Sequence, residues 1–287
     1  MALVYAKRIG SCAVSGREGY FGPGSMMWRV NREVTTLFGG ARALLTQAAH
    51  PLVAAGARQT GGYRRDPWAR LIRTVRAQNM LIFGDERTAD QAAGRINKLH
   101  KSINGVDPVT GEWYDGLDYD QLLWVHAVLE TCTLDFFRRT VAPLSDAELD
   151  RYHDENTMVA ELLLLPKNYV PPTYRETEEY VSDVIGSGRL IVTDVAREVA
   201  DLITRGAVPR RIKPLWRLIA FSAIGTLDER LRELYEFDWS PRRQLLLGGN
   251  FSMIRSSLPL LPYRYRTIVP ARWADLRMSH RLVETRP

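Results

Sequence analysis

Apolar residues recur at the three- and four-residue spacing of α-helices along most of this 287-residue chain. Helix-capping signals separate the apolar segments: Ser25, Asp66 followed by Pro67, and the pair Ser145 and Glu148. No convincing stretch alternates apolar and polar residues with the β-branched enrichment that is typical of strands. The sequence therefore predicts an all-α fold, a single multi-helix domain of about ten helices.

Neither a Gly/Ser linker nor a change in composition divides the chain, and its length is compatible with one large core. We expect an irregular N-terminal arm over residues 1–24, a helical domain over 25–265 and a C-terminal tail over 266–287. Gly39 and Gly40 are expected to end a helix that begins after Ser25.

The chain carries a formal net charge of +6. Its basic residues are interpreted as scattered and mixed with Asp and Glu, which favours a solvated surface over nucleic-acid binding. The two cysteines, Cys12 and Cys132, are too few for a disulfide framework. No apolar run approaches the roughly 20 residues that span a bilayer, and the N-terminus is a poor signal peptide. We therefore expect a cytoplasmic protein without membrane insertion or a nucleic-acid partner, for which a homodimer remains possible.

His100 is the residue with the strongest chemical signal. At helical spacing it shares a face of residues 86–105 with apolar and small side chains, namely Ala89, Ala92, Ala93, Ile96, Leu99 and Ile103. A buried imidazole requires a hydrogen-bond partner or a metal. The small residues at 89 and 92–94 would let a flat group lie close to the helix. We hypothesise haem, with His100 holding the iron; the alternative is an ordinary hydrogen-bonded core histidine.

Two further histidines and one polar pair accompany His100. His50 precedes Pro51 at a helix junction, where its side chain can point into a cavity. His126 lies on the inward face of another apolar helix. Arg70 and Thr74 are four residues apart beside an apolar helix face. They form either the rim of a pocket, where Arg would bind an acidic group and Thr would donate to dioxygen, or a solvated face with a back-bonded threonine.

Several segments, taken as an ordered set, resemble the rubber-oxygenase (latex-clearing protein) superfamily, which includes the oxygenase of mycophenolic-acid biosynthesis. These segments are HPLVAAG at 50–56, PWARLIRT at 67–74, FG at 83–84 before an Ala-rich helix ending in His100, and LLWVHAVLETC at 122–132. The resemblance covers roughly residues 26–265. It implies an all-helical fold with globin-like features and a non-covalent b-type haem.

The resemblance also assigns residues. The family's axial histidine lies in a motif of the form V-R-x-x-H-x-x-V-R. INKLHKSIN at 96–104 occupies the place of this motif, so that His100 is the implied ligand. The two arginines of that motif are asparagines here. The family's distal Arg-x-x-x-Thr matches Arg70 and Thr74. The catalytic glutamate of rubber oxygenases would fall near Ala54, where this chain has only small apolar residues, so rubber cleavage is not implied. His50 is the nearest polar candidate for a distal base or a sixth ligand.

These observations predict a haem b-dependent oxygenase that oxidises an organic, apolar or natural-product-like small molecule with dioxygen or peroxide. His100 would hold the iron, and His50, Arg70 and Thr74 would lie on the opposite side. His126 would be a second pocket residue or a propionate partner, and it competes for the axial role. Two alternatives remain: a non-haem iron oxygenase built from the three histidines, or a non-catalytic haem- or gas-binding protein.

Overall fold

The computed structural model of the chain describes residues 19–61, 67–206, 208 and 210–284. Fourteen α-helices form within these residues: α1 (Met26–Asn31), α2 (Leu37–Ala48), α3 (Pro51–Thr60), α4 (Pro67–Phe83), α5 (Glu86–His100), α6 (Tyr119–Thr140), α7 (Asp146–Leu162), α8 (Tyr174–Gly186), α9 (Asp194–Arg205), α10 (Lys213–Gly225), α11 (Glu229–Leu234), α12 (Pro241–Ser257), α13 (Tyr263–Arg266) and α14 (Val269–Glu284). The all-α prediction is confirmed, and the helix count exceeds ten because several helices are short.

Four short 3₁₀ turns and one small hairpin complete the described elements. The 3₁₀ turns are Val34–Thr36, Lys167–Tyr169, Arg210–Ile212 and Leu258–Leu260. The strands β1 (Asn104–Val106) and β2 (Trp113–Asp115) pair in antiparallel register, with Gly105 opposite Tyr114. The sequence pattern gave no sign of this hairpin because its strands are only three residues long.

Helices α2 and α6 lie at the centre of the fold and pack against each other. Helices α9 and α10 cover α2, which buries one large apolar cluster around Leu45 and Trp124. A second cluster, around Trp28, Phe83 and Phe137, joins α1 to the ends of α4 and α6. Helix α6 contributes to both of these clusters, which are the two largest among the described residues.

The predicted helix break at Gly39–Gly40 is wrong, because α2 runs through both glycines. A Cβ atom on Gly39 would lie only 2.9 Å from the carbonyl oxygen of Cys132, so this glycine allows α2 to approach α6 closely. The helix that begins after Ser25 ends earlier, at Asn31. Glu33 follows it, and the buried carboxylate of Glu33 accepts a hydrogen bond from Arg266 Nε at 2.8 Å. The long-range ion pair, rather than local glycine content, thus coincides with the helix boundary.

Helix α4 is only partly in the core. The sequence predicts a core face made of Trp68, Leu71, Ile72, Val75 and Ile82, and of these only Ile82 is fully buried. Ile72 is 40% exposed, and the other three side chains are half-buried. The expected N-cap of this helix, Asp66, lies outside the described residues.

The stretch from residue 266 contains the long helix α14, which packs against α4. Ala271 and Ala274 are buried in this contact, and Arg277 donates to the carbonyl of Phe83 at 2.8 Å. Most of the expected N-terminal arm, including Cys12, lies outside the described residues. Across the described residues, every helix is too short or too polar to cross a bilayer.

Candidate active site

His100 is the last residue of α5. Asp85 caps the start of this helix by accepting a hydrogen bond from the Thr88 backbone N–H at 2.8 Å. The helix was expected to continue to Gly105, but that residue belongs to β1. The imidazole is half-buried, and its Nδ1 is buried without a hydrogen-bond partner among the described residues. Burial lowers the pKa of His100, which favours the neutral ring that can ligate a metal.

The small residues of α5 pack against protein rather than lining an open slot. Ala89, Ala92 and Ala93 are buried as predicted, but Ala92 and Ala93 belong to the cluster around Trp28 and Phe83. The predicted inward position of Leu99 is wrong, because its side chain is 51% exposed. The alanines therefore allow close helix packing, and the last turn of α5 lies nearer the surface than periodicity indicates.

Helix α3 holds the segment that follows His100. The Gln59 side chain accepts a hydrogen bond from the Asn104 backbone N–H at 3.1 Å and donates to the Ser102 carbonyl at 3.3 Å. A Cβ atom on Gly56 would lie 3.0 Å from the side chain of Ile103, so α3 meets this segment closely. Sequence reasoning missed Gln59, since its two contacts depend on a long-range approach.

His50 lies at the other end of α3. It precedes the helix, and its carbonyl accepts the Ala54 N–H at 2.9 Å. Its Nδ1 is buried and, like that of His100, has no hydrogen-bond partner among the described residues. The ring centroid lies 6.1 Å from that of Trp124. Burial, reinforced by the nearby charge of Arg189, lowers the pKa of His50 to about 4. His50 is therefore neutral at pH 7.

Helix α3 connects His50, which precedes it, with Gly56, which contacts the segment after His100. Six residues of α-helix rise about 9 Å, so both positions lie along the same short element. The β-hairpin also leads from His100 back to α6, and a Cβ atom on Gly116 would lie 2.5 Å from the His100 carbonyl oxygen. The contacts of Gly56, Gln59 and Gly116 therefore hold the segment around His100 against α3 and the turn before α6, and His50 precedes the same helix α3.

His126 belongs to a separate buried network, which we call the Glu130 cluster: His126, Glu130, His153 and Asn156. His126 Nε2 lies 3.2 Å from Asn156 Nδ2 and 3.9 Å from Glu130 Oε2. His153 Nδ1 lies 3.1 Å from Glu130 Oε1, and its Nε2 lies 2.8 Å from the Pro171 carbonyl. The cluster joins α6 to α7. His126 and Glu130 are four residues apart on one helix, and this spacing could have predicted that their side chains lie close together.

The Glu130 cluster contains histidines with opposite titration behaviour. Burial lowers the pKa of His126. Burial alone would also lower the pKa of His153, but the hydrogen bond to Glu130 and the charge of that carboxylate raise it above its ordinary value. The partners of His126 and His153 are protein groups, which is what a structural polar network requires.

The three histidines do not assemble into one metal site. Among the described residues, which include His50, His100 and His126, no group of three or more His, Cys, Asp or Glu side chains is placed to hold a metal ion. The shared three-histidine centre of the non-haem alternative is therefore not formed.

Arg70 and Thr74 lie on α4, away from full burial. Arg70 Nη1 donates to Thr60 Oγ1 at 3.3 Å, which links α4 to the end of α3. Thr74 is exposed, and its hydroxyl donates to the Arg70 carbonyl at 3.1 Å. The back-bonded arrangement expected of an ordinary surface threonine is therefore present, and the pair is connected to α3 through Arg70.

The departures from the rubber-oxygenase pattern have structural counterparts. Ala54 is buried against Val195 and Ala57, so apolar packing replaces a carboxylate at this point of α3. Asn97, which occupies the place of a motif arginine, donates through Nδ2 to the Leu162 carbonyl at 2.9 Å and so ties α5 to the end of α7.

Comparison with protein families gives one result that covers most of the chain. Residues 28–256 match the family described as "ER-bound oxygenase mpaB/B'/Rubber oxygenase, catalytic domain". The matched range includes α2 to α11 and all the candidate site residues. Comparisons with curated proteins and with solved structures found no match.

Proposed function

Because the chain belongs to the family of mpaB and rubber oxygenase catalytic domains and is therefore an oxygenase, we propose that it uses haem b to oxidise an apolar or natural-product-like organic substrate. The oxidant would be dioxygen or peroxide. Haem b, when bound, supplies a redox-active iron for this chemistry. His100 would hold that iron.

The observation that carries this proposal is the unpaired Nδ1 of His100. A buried ring nitrogen without a partner costs free energy, so such a group suggests a ligand that satisfies the ring when bound. The lowered pKa of His100 keeps the ring neutral, as ligation requires. His126 is the weaker candidate for this role, because its Nε2 already faces Asn156 at 3.2 Å.

His50 is the proposed distal base. Its pKa of about 4 leaves the ring neutral near pH 7, so an unprotonated nitrogen is available to accept a hydrogen bond or a proton from a substrate or oxidant. Its Nδ1 has no described hydrogen-bond partner that would compete for that proton. Trp124, buried beside it, helps to exclude water from this side of the region.

Helix α4 is the proposed wall of the pocket. Its Trp68, Leu71 and Val75 side chains are only half-buried, which is the condition expected of an apolar surface that a flat ligand or an apolar substrate covers. Arg70 would bind a propionate group or orient the oxidant, and Thr74 would act beside it through its hydroxyl. The hydrogen bond from Arg70 to Thr60 would keep this part of α4 against α3.

The test is haem reconstitution of the full chain with the variants His100→Ala and His126→Ala. Each purified haem-free protein is titrated with haemin, and the Soret band and circular dichroism are recorded. We expect His100→Ala to lose the high-affinity Soret band while keeping its helicity, and His126→Ala to bind haem as the unaltered chain does.

Retention of the Soret band by His100→Ala and its loss in His126→Ala would overturn the assignment of the ligand. A chain that binds no haem at all would overturn the proposed cofactor. If haem binds but a six-coordinate spectrum disappears only in His50→Gln, His50 is a sixth ligand, and the proposed role of a distal base is wrong.

A further inference from the structure

Helix α14 places its larger apolar side chains on the outside. Its buried face consists of small or flexible residues, Ala271, Ala274 and Met278, which pack towards the core. On the opposite face, at spacings of four and three residues, lie Val269, Trp273 and Leu276. Trp273 is 70% exposed and Leu276 is 57% exposed. An ordinary surface helix has the reverse distribution.

Neighbouring residues extend this apolar surface. Leu260 is 82% exposed just before α13, and Tyr263 and Tyr265 are also exposed. A cleft of about 510 Å³ lies between α13 and α14. Its lining combines aromatic, aliphatic and charged side chains: Tyr263, Arg272, Trp273, Asp275, Leu276 and Ser279. We call Leu260, Tyr263, Tyr265, Val269, Trp273 and Leu276 the α13–α14 surface.

Four arginines lie beside this surface, and two of them are bound within the protein. Arg266 pairs with Glu33, and Arg277 donates to the Phe83 carbonyl. Arg264 is exposed, and its guanidinium lies over the Tyr265 ring at 4.7 Å. Arg272 has a buried Nε without a described hydrogen-bond partner. Arg264 and Arg272 are thus the cations that accompany the aromatic side chains.

The positive charge of the whole chain is concentrated in this part of the sequence. Residues 240–287 contain nine arginines and only two acidic residues, Asp275 and Glu284. The remaining 239 residues contain 30 basic and 31 acidic side chains, so they are close to neutral. The C-terminal sixth of the chain is therefore strongly basic, whereas basic and acidic residues are mixed and balanced in the rest.

We propose that the α13–α14 surface docks onto an anionic lipid bilayer. Exposed Trp, Tyr and Leu side chains are those that enter the interfacial layer of a membrane, and adjacent arginines bind anionic headgroups. The cleft would receive a headgroup at Arg272 beside the aromatic rings of Tyr263 and Trp273. This association is peripheral, and it does not depend on the cofactor or the substrate proposed above.

Charge argues against two other occupants. A second copy meeting the same surface about a two-fold axis would place the Arg264 and Arg272 side chains of both copies in one interface, which is unfavourable. Residues 1–18 contain Lys7, Arg8 and Arg17 but only one acidic residue, Glu18, so this segment is not complementary to a basic surface. An anionic bilayer satisfies both the apolar and the charged components.

The experiment is vesicle flotation with the full chain, using vesicles of phosphatidylcholine alone and vesicles with about 30% phosphatidylglycerol. We expect binding to the anionic vesicles that weakens as NaCl rises. Trp273→Ser with Leu276→Ser should lower the partition coefficient at least about tenfold. Arg264→Gln with Arg272→Gln should lower it about 30-fold, since each arginine near an anionic surface contributes roughly fivefold.

The matched controls change exposed residues of the same types elsewhere. Trp113→Ser alters an exposed tryptophan of the hairpin, and Arg197→Gln alters an exposed arginine of α9; neither should change binding. Equal binding by the α13–α14 variants and the unaltered chain would overturn the proposal. So would a dimer in solution that only these variants convert to monomer, or tighter binding to an oligonucleotide than to the anionic vesicles.

Discussion

The buried histidines of this protein fall into two regions with opposite surroundings. In the Glu130 cluster, both ring nitrogens of His153 and the Nε2 of His126 face protein partners. His50, just before α3, and His100, at the end of α5, each bury an Nδ1 that has no described partner. An unsatisfied buried polar group costs about 1 to 3 kcal/mol, so a fold keeps one where something other than stability requires it. Hydrogen bonding therefore distinguishes a structural imidazole from a candidate ligand better than burial does.

The largest effect is expected from breaking the Glu130 cluster. Glu130→Leu removes the acceptor of His153 Nδ1 and the charge that raises the pKa of His153, so that this buried ring nitrogen loses its partner. We expect the free energy of unfolding in urea to fall by about 3 kcal/mol. Because the pKa of His153 is raised on folding, its pairing with Glu130 stabilises the folded state fully below pH 6.5, and this stabilisation is lost as the pH rises through the folded pKa. The loss should therefore be larger at pH 5.5 than at pH 8.5.

Glu179→Leu is the control for this variant, because Glu179 forms an exposed ion pair with Arg175 on α8. Its expected cost is below about 0.5 kcal/mol. The double variant Glu130→Leu with His153→Leu should cost less than the sum of the two single variants, because it removes both members of the pair. Simple additivity would contradict a coupled pair.

A smaller effect, of opposite pH dependence, is expected from His50. Its folded pKa of about 4 lies below the ordinary 6.5, so the unfolded chain binds a proton first as the pH falls. The contribution of the neutral His50 ring to the free energy of unfolding is fully present above pH 6.5 and is lost as the pH falls towards 4. About 2 kcal/mol or less is lost by pH 5. His50→Gln should remove this part of the acid sensitivity. Unfolding in urea at pH 7 and pH 5 measures it, and an unchanged difference between the two pH values would contradict the buried, neutral ring.

The sequence was sufficient for the fold class and for the helices whose ends are set by local capping. Ser145 and Glu148 form the predicted capping box at the start of α7. Helical periodicity failed where a contact between distant residues determines a helix boundary or the burial of a side chain. Gly39 lies inside α2, in close contact with α6. Leu99 is exposed although its spacing places it with buried alanines. Helical spacing identifies an apolar face but not the element that covers it.

The same reasoning explains the result for the candidate site. The sequence identified His50, His100 and His126 as histidines associated with apolar helices, yet it could not tell which of them find protein partners. The partners Asn156 and Pro171 lie 30 and 18 residues away from His126 and His153, respectively, so only the tertiary structure shows them. The roles of His50, Arg70, Thr74 and His100 stay predictions.

The smallest effect separates the two regions directly, in the haem-free chain. His126→Leu leaves the Asn156 amide without its partner and should cost about 1 kcal/mol of unfolding free energy. His100→Leu removes a nitrogen that has no described partner, so it should be neutral or slightly stabilising. Thermal unfolding of both variants beside the unaltered chain makes the comparison. Equal destabilisation by the two substitutions would mean that His100 is as well satisfied as His126, and the argument that its ring awaits a ligand would fail.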